Sequence, residues 1–181
     1  DSFADMQQSL IKYIDELKVS TANKERMESE LRIARAIQLG MVPKIFPPFP
    51  ERNDVDVYAR ISPAREVGGD LYDFFIENGK LYFIIGDVSG KGVAAALVMA
   101  VTCRLFGTVA SYTETPEGIV TALNDALSES NESFMFCTTF VGILDIKSGD
   151  LMYCNAGHNP PVVLLSDGGA VPLEVVSNIA L

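Results

Sequence analysis

The sequence predicts an α+β domain built on antiparallel sheet, carried behind one long helix. Three observations predict this. The first forty residues repeat apolar positions at helical spacing. Short period-two runs joined by tight-turn signals follow residue 54, and two adjacent helical stretches interrupt those runs.

The N-terminal element comes first. Positions 3, 6, 10, 13, 17, 20, 24, 27, 31, 34, 38 and 41 alternate spacings of three and four, the seam of a coiled coil. They are Phe3, Met6, Leu10, Tyr13, Leu17, Ser20, Lys24, Met27, Leu31, Ala34, Gln38 and Met41, of which nine are apolar. Neither Gly nor Pro occurs before Gly40, so one helix is expected to run to Gly40 and Pro43. Ser20 and Lys24 interrupt the seam, as a hinge, a register switch or polar positions that set the oligomeric state. Residues 1–42 are therefore read as a signalling helix and 43–53 as a proline-rich connector packed against the next domain. Residues 54–181 form the folded domain.

Within that domain, Val55 to Ile61 alternates like a strand. Gly69 to Ile76 and Lys80 to Val88 read as a hairpin over Glu77-Asn78-Gly79. Val93 to Tyr112 is apolar nearly all round, as in a buried helix. Thr115 and Pro116 then supply an N-cap and a first-turn proline for a helix to about Ser130. Hairpins follow at 136–146 with 150–155, and at 161–165 with 171–176.

Bulk properties narrow the functional classes. Lys and Arg number 14 against 24 Asp and Glu, giving a net charge of −10, which disfavours nucleic acid. A hydrophobic share of 48% and a mean hydropathy of +0.21 fit a folded core. No signal peptide is evident and no apolar run near 18 residues is expected. Cys103, Cys137 and Cys154 form no C-x-x-C pair and read as small buried hydrophobes in a reducing compartment. The start at Asp1, inside an amphipathic pattern, reads as a cut from a longer protein.

Two segments carry chemistry: Glu66-Val67-Gly68-Gly69-Asp70-Leu71-Tyr72-Asp73 and Gly86-Asp87-Val88-Ser89-Gly90-Lys91-Gly92. Each sets an aspartate beside glycines at a strand end, where neither residue type favours a strand. The hairpin between them brings Asp70 and Asp87 together. Paired carboxylates repel unless a proton or a cation bridges them, and hard oxygen ligands suit Mg²⁺ or Mn²⁺. The plainer alternative is two turn aspartates. Rival motifs fail on particular residues. A P-loop would need glycine at Ile85 and Ser or Thr at Gly92. A diguanylate-cyclase signature would need glutamate at Leu71. Ser89 as a nucleophile would need a base, and nothing in the sequence turns His158 toward it.

Four blocks in order carry a resemblance: Ala34-Arg35-Ala36-Ile37-Gln38 with Met41-Val42-Pro43; Glu66 to Asp70; Gly86 to Gly92 with Ala94-Ala95-Ala96; and Asn155-Ala156-Gly157-His158-Asn159-Pro160-Pro161. From Glu30 to Leu181 the chain resembles the SpoIIE-type phosphatases, a bacterial branch of the type-2C-like, metal-dependent serine/threonine protein phosphatases. Residues 1–17 resemble the last helix of a HAMP signalling module. The resemblance implies an antiparallel two-sheet sandwich flanked by helices. It also implies a two-ion Mn²⁺ or Mg²⁺ centre with Asp70, Asp87 and the Val88 carbonyl as ligands, and a metal-bridged water as the attacking group. Charge and position make Arg65 and Lys91 candidate phosphate contacts, and His158 is assigned a turn role. The implied substrates are phosphorylated STAS-type, anti-anti-sigma-like regulators. The implied setting is the cytoplasmic part of an inner-membrane sensor, with no membrane contact by this segment, and the nine apolar seam residues predict a parallel homodimer through the helix. The alternatives are a silent phosphatase-like module for phosphoprotein binding or dimer signalling, and, further off, a cyclase-like enzyme. The family continues into further acidic ligands beyond the position of Leu181, so this stretch alone is expected to hold metal weakly and to be nearly inactive.

Overall fold

The computed structural model describes residues 2–63, 66–129, 131–176 and 178–181. The chain divides into two compact units, Asp1–Ile37 and Gln38–Leu181. The first is the body of helix α1 (Ser2–Leu39), which ends at Gly40 as expected. Phe3, Met6, Leu10, Tyr13, Leu17 and Met27 of the seam are exposed along it. Spaced ion pairs such as Lys12–Glu16 and Arg26–Glu30 run between its turns, and each contributes little in solvent.

The second unit centres on a four-stranded antiparallel sheet in the order β1-β2-β3-β4: Leu71–Glu77, Lys80–Val88, Cys137–Asp145 and Leu151–Ala156. Asn78 (φ 50°) and Gly79 (φ 78°) make the β1–β2 turn, which needs positive φ at both central residues. That turn sets the register from Glu77↔Lys80 to Leu71↔Gly86. Helices α2 (Val93–Ala110) and α3 (Pro116–Ser128) cover one face of the sheet. Thr115 caps α3, its hydroxyl accepting from the Gly118 N–H at 3.2 Å. The core joins Leu71, Tyr82, Ile84, Val88, Val141 and Ile143 of the sheet to Met99, Cys103 and Phe106 of α2 and Ile119 and Leu123 of α3. Each such side chain contributes roughly 1.5–3 kcal/mol by leaving water. Strands β5 (Val162–Leu164) and β6 (Ala170–Pro172) pair as a short second sheet, trimmed from the longer hairpin expected.

Aromatic side chains of residues 43–53 pack on the domain that follows. Phe46 packs on Tyr58 and Phe74, with ring centroids 5.2 and 6.0 Å apart, and Phe49 lies 5.9 Å from Phe74. The Tyr72 hydroxyl donates to the Pro43 carbonyl at 2.7 Å.

Two expectations need correction. The 55–61 segment alternates half-buried and exposed residues as a strand would, yet it forms no strand. Periodicity reports which face is buried; a strand also needs a partner for its ladder. Second, α2 is long and apolar enough to cross a membrane, with a mean hydropathy of 1.9, so an apolar run near 18 residues does exist. Its apolarity is used inside the fold, where Ala95, Met99, Cys103, Phe106 and Val109 lie in the core. The cysteines are free. Burial pushes the thiols of Cys103 and Cys137 up to about 12, which leaves them inert.

Candidate metal centre

At the end of the sheet where β1 begins and β2 finishes, the ladder reaches Leu71↔Gly86. One step further sets Asp70 opposite Asp87. The backbone keeps this pairing beyond the strand, because the Val88 N–H donates to the Gly69 carbonyl at 3.3 Å. Partial burial, then the charge of the facing Asp87 carboxylate and its capacity to accept a proton from Asp70, raise the Asp70 carboxyl above its usual range, while His158 pulls it down. Like charges placed opposite each other on neighbouring strands destabilise a sheet, so the arrangement favours whatever bridges them.

Gly69 makes the close approach possible. A Cβ there would meet the Val88 carbonyl oxygen at 2.7 Å and the Val88 Cβ at 3.1 Å. Only a glycine lets the loop carrying Asp70 lie this near the end of β2, and its neighbour across the gap is the Val88 carbonyl named in the ligand set. Beyond Val88 the chain turns through Gly90 (φ 87°) and Gly92 (φ 79°) into α2. Ser89 closes that loop: its hydroxyl accepts from the Phe136 N–H at 3.0 Å, and its own N–H donates to the Phe136 carbonyl at 2.8 Å. Its side chain is a loop fastener. Lys91 is exposed in the same loop and forms no ion pair among the described residues. Arg65 lies outside the described residues.

His158 stands closer to the chemistry than its turn motif indicated. Its backbone is clamped by buried Asn155, whose Nδ2 donates to the His158 carbonyl at 2.8 Å and whose Oδ1 accepts from the His158 N–H at 3.2 Å. Its ring Nδ1 is 3.0 Å from the Thr138 hydroxyl, which donates to the Asp87 carbonyl at 3.3 Å. A hydroxyl has one proton, so this pattern assigns the Nδ1 proton to the histidine. Burial lowers the imidazole pKa, and Asp87 and Asp70 push it up. The turn role holds, and the ring also sits within electrostatic reach of both carboxylates. The Gly-His-Asn-Pro block was the only sequence signal; Thr138 carried none.

Among the described residues, no group of three or more His, Cys, Asp and Glu side chains is arranged to hold a metal ion. The donors gathered here are two carboxylates and a backbone carbonyl. All are hard oxygens, of the class that suits Mg²⁺ or Mn²⁺.

The family model for Stage II sporulation protein E (SpoIIE) matches residues 77–181, more than half of the chain. The chain belongs to the SpoIIE family. Asp87 and His158 fall within the matched stretch, and Asp70 precedes it. The chain is 27% identical over 137 residues to the phosphoserine phosphatase RsbU of Bacillus subtilis, covering 75% of this chain and 40% of RsbU. It is 30% identical over 167 residues to protein IcfG of Synechocystis sp., covering 77% of this chain and 26% of IcfG. The chain thus spans less than half the length of these relatives. Among solved structures, the SiaA-PP2C domain of Pseudomonas aeruginosa superposes with a TM-score of 0.73 at 19% identity, covering 88% of this chain and 64% of that one. That likeness shows the type-2C phosphatase fold, as the resemblance implied.

Proposed function

We propose that this SpoIIE-family chain provides a divalent-cation-dependent phosphoserine/phosphothreonine protein phosphatase domain. The observation that carries the reading is the placement of Asp70 opposite Asp87, with the Val88 carbonyl against Gly69, at one end of the sheet. Asp70, Asp87 and the Val88 carbonyl would hold Mn²⁺ or Mg²⁺, in a two-ion centre that needs further ligands. A cation bound there supplies a Lewis acid that activates water and offsets charge on the phosphoryl oxygens. The chain's own part is to fix two carboxylates in register, to keep the approach open with glycines, and to set Lys91 in the adjoining loop as a phosphate contact. The cyclase alternative is further weakened: Leu71, at the position of its signature glutamate, is 1% exposed and belongs to the core behind the sheet.

The substrate class in this reading is a phosphorylated regulator protein of STAS type, and the test is phosphate release from such a protein by the full-length protein. Release is expected with Mn²⁺ or Mg²⁺ and not in excess EDTA; equal rates in both would sink the metal reading. Binding of the phosphoprotein with no release under any cation would favour the silent module.

The exposed seam of α1 supports a second part of the proposal, a parallel dimer through this helix. Sedimentation velocity should give a dimer for residues 1–181 and a monomer once residues 1–33 are removed. A monomer in both cases would remove the coiled-coil reading.

A further inference from the structure

The last turn of α1 holds a buried polar side chain that the phosphatase chemistry does not use. Gln38 is 5% exposed. Its Nε2 donates to the Gly68 carbonyl at 2.6 Å, and its Oε1 accepts from the Gly68 N–H at 3.2 Å. The same Nε2 lies 3.5 Å from the Met99 Sδ of α2. The amide therefore pairs with the Gly68 backbone on both sides, as a neighbouring strand would. A buried amide is costly unless bonded in this way.

The loop that receives these bonds is the one that presents Asp70. It is held from opposite sides: Gly68 is bonded to Gln38, and Gly69 accepts from the Val88 N–H. A Cβ on Gly68 would meet the Pro63 Cβ at 3.3 Å, so a side chain at this position would crowd the loop. Asp70 follows two residues after Gly68, and the neighbouring charge of Asp87 works to push it away. Some fixed backbone contact must oppose that repulsion if the two carboxylates are to stay within reach of one cation.

We propose that Gln38 is the positioning residue that holds the Gly68–Gly69 loop, and through it Asp70, beside Asp87. The inference rests on the phosphatase reading for its consequence, but its mechanical part does not depend on a metal. Because Gln38 is the last turn of α1, the end of that helix and the carboxylate pair are joined by one two-bond contact.

The test compares the full-length protein with Gln38→Leu, which keeps the bulk and removes both bonds, and with Gln38→Glu, which keeps only the acceptor. Without metal, hydrogen exchange at the Gly68 amide should quicken about tenfold in Gln38→Leu while β2 and β3 amides stay protected. With metal, Mn²⁺ affinity followed by electron paramagnetic resonance should weaken by about tenfold or more. The KM for the phosphoprotein should change less than kcat, because Gln38 touches no substrate. Gln38→Glu, whose carboxylate loses the Nε2 donor and sets an acceptor against the Gly68 carbonyl, should also depart from wild type in both exchange and affinity. If Gln38→Leu does not fold, Gln38→Glu alone decides, and wild-type exchange and affinity in that variant overturn the proposal. Unchanged loop exchange in a folded Gln38→Leu overturns it as well. Faster exchange with unchanged Mn²⁺ affinity would leave a clamp that does not serve the site and would also defeat it. A wild-type protein that binds no Mn²⁺ at all would instead bring down the phosphatase reading, whatever the exchange shows.

Discussion

Asp87→Asn is expected to abolish phosphoserine hydrolysis by the full-length protein to within about one per cent of wild type while leaving the fold intact. The asparagine has nearly the same shape and can keep its place in β2, and the Asp87 carbonyl can still accept from Thr138. What changes is one negative charge at a site where two carboxylates face each other. A Lewis-acid centre supplies several kcal/mol of transition-state charge stabilisation. Losing about 3 kcal/mol of it corresponds to roughly two orders of magnitude in rate. Stability should move the opposite way or not at all, since the substitution removes a like-charge opposition on neighbouring strands. The measurement is kcat with saturating Mn²⁺ alongside a thermal melt without metal. Activity above a tenth of wild type would show that Asp87 is not a ligand that matters. A large drop in melting temperature would show that the aspartate is structural.

Phe106→Ala should produce the largest loss of stability among single substitutions in the core. Phe106 is 0% exposed on α2, and its ring lies 5.8 Å from that of Phe75 on β1 at a tilt of 56°. It therefore joins the helix layer to the sheet at whose end both aspartates sit. Truncating a buried phenylalanine costs about 3–5 kcal/mol through lost transfer energy and the cavity left behind. That is a large part of the roughly 5–15 kcal/mol that holds a domain folded. The expected fall in Tm is about 6–20 °C. Urea denaturation at an unchanged slope would report the same loss, and a loss below about 1 kcal/mol would mean that the neighbours collapse into the space. The two substitutions separate cleanly: one should remove turnover without unfolding, the other should unfold without altering the metal requirement of the molecules still folded.

Features legible in the sequence were local ones. The β1–β2 hairpin was readable because Asn78-Gly79 supports the two positive φ angles that its turn demands. Once that turn is placed, counting back along both strands sets Asp70 against Asp87 with no freedom left. The start of α2 after the glycines and the Thr115-Pro116 start of α3 were readable for the same reason, since capping and backbone constraints act within a few residues. Tertiary structure decided what depends on contacts across many residues. Whether Val55 to Ile61 becomes a strand depends on a partner edge, which alternation cannot reveal. Whether α2 enters a core or a membrane depends on what covers it, since both surroundings accept the same apolar composition. Thr138 reaches Asp87 across 51 positions, His158 reaches Thr138 across 20 and Gln38 reaches Gly68 across 30. No periodicity encodes such meetings. They arise because an antiparallel sheet and a helix end converge on one place, and there the buried polar groups must find partners.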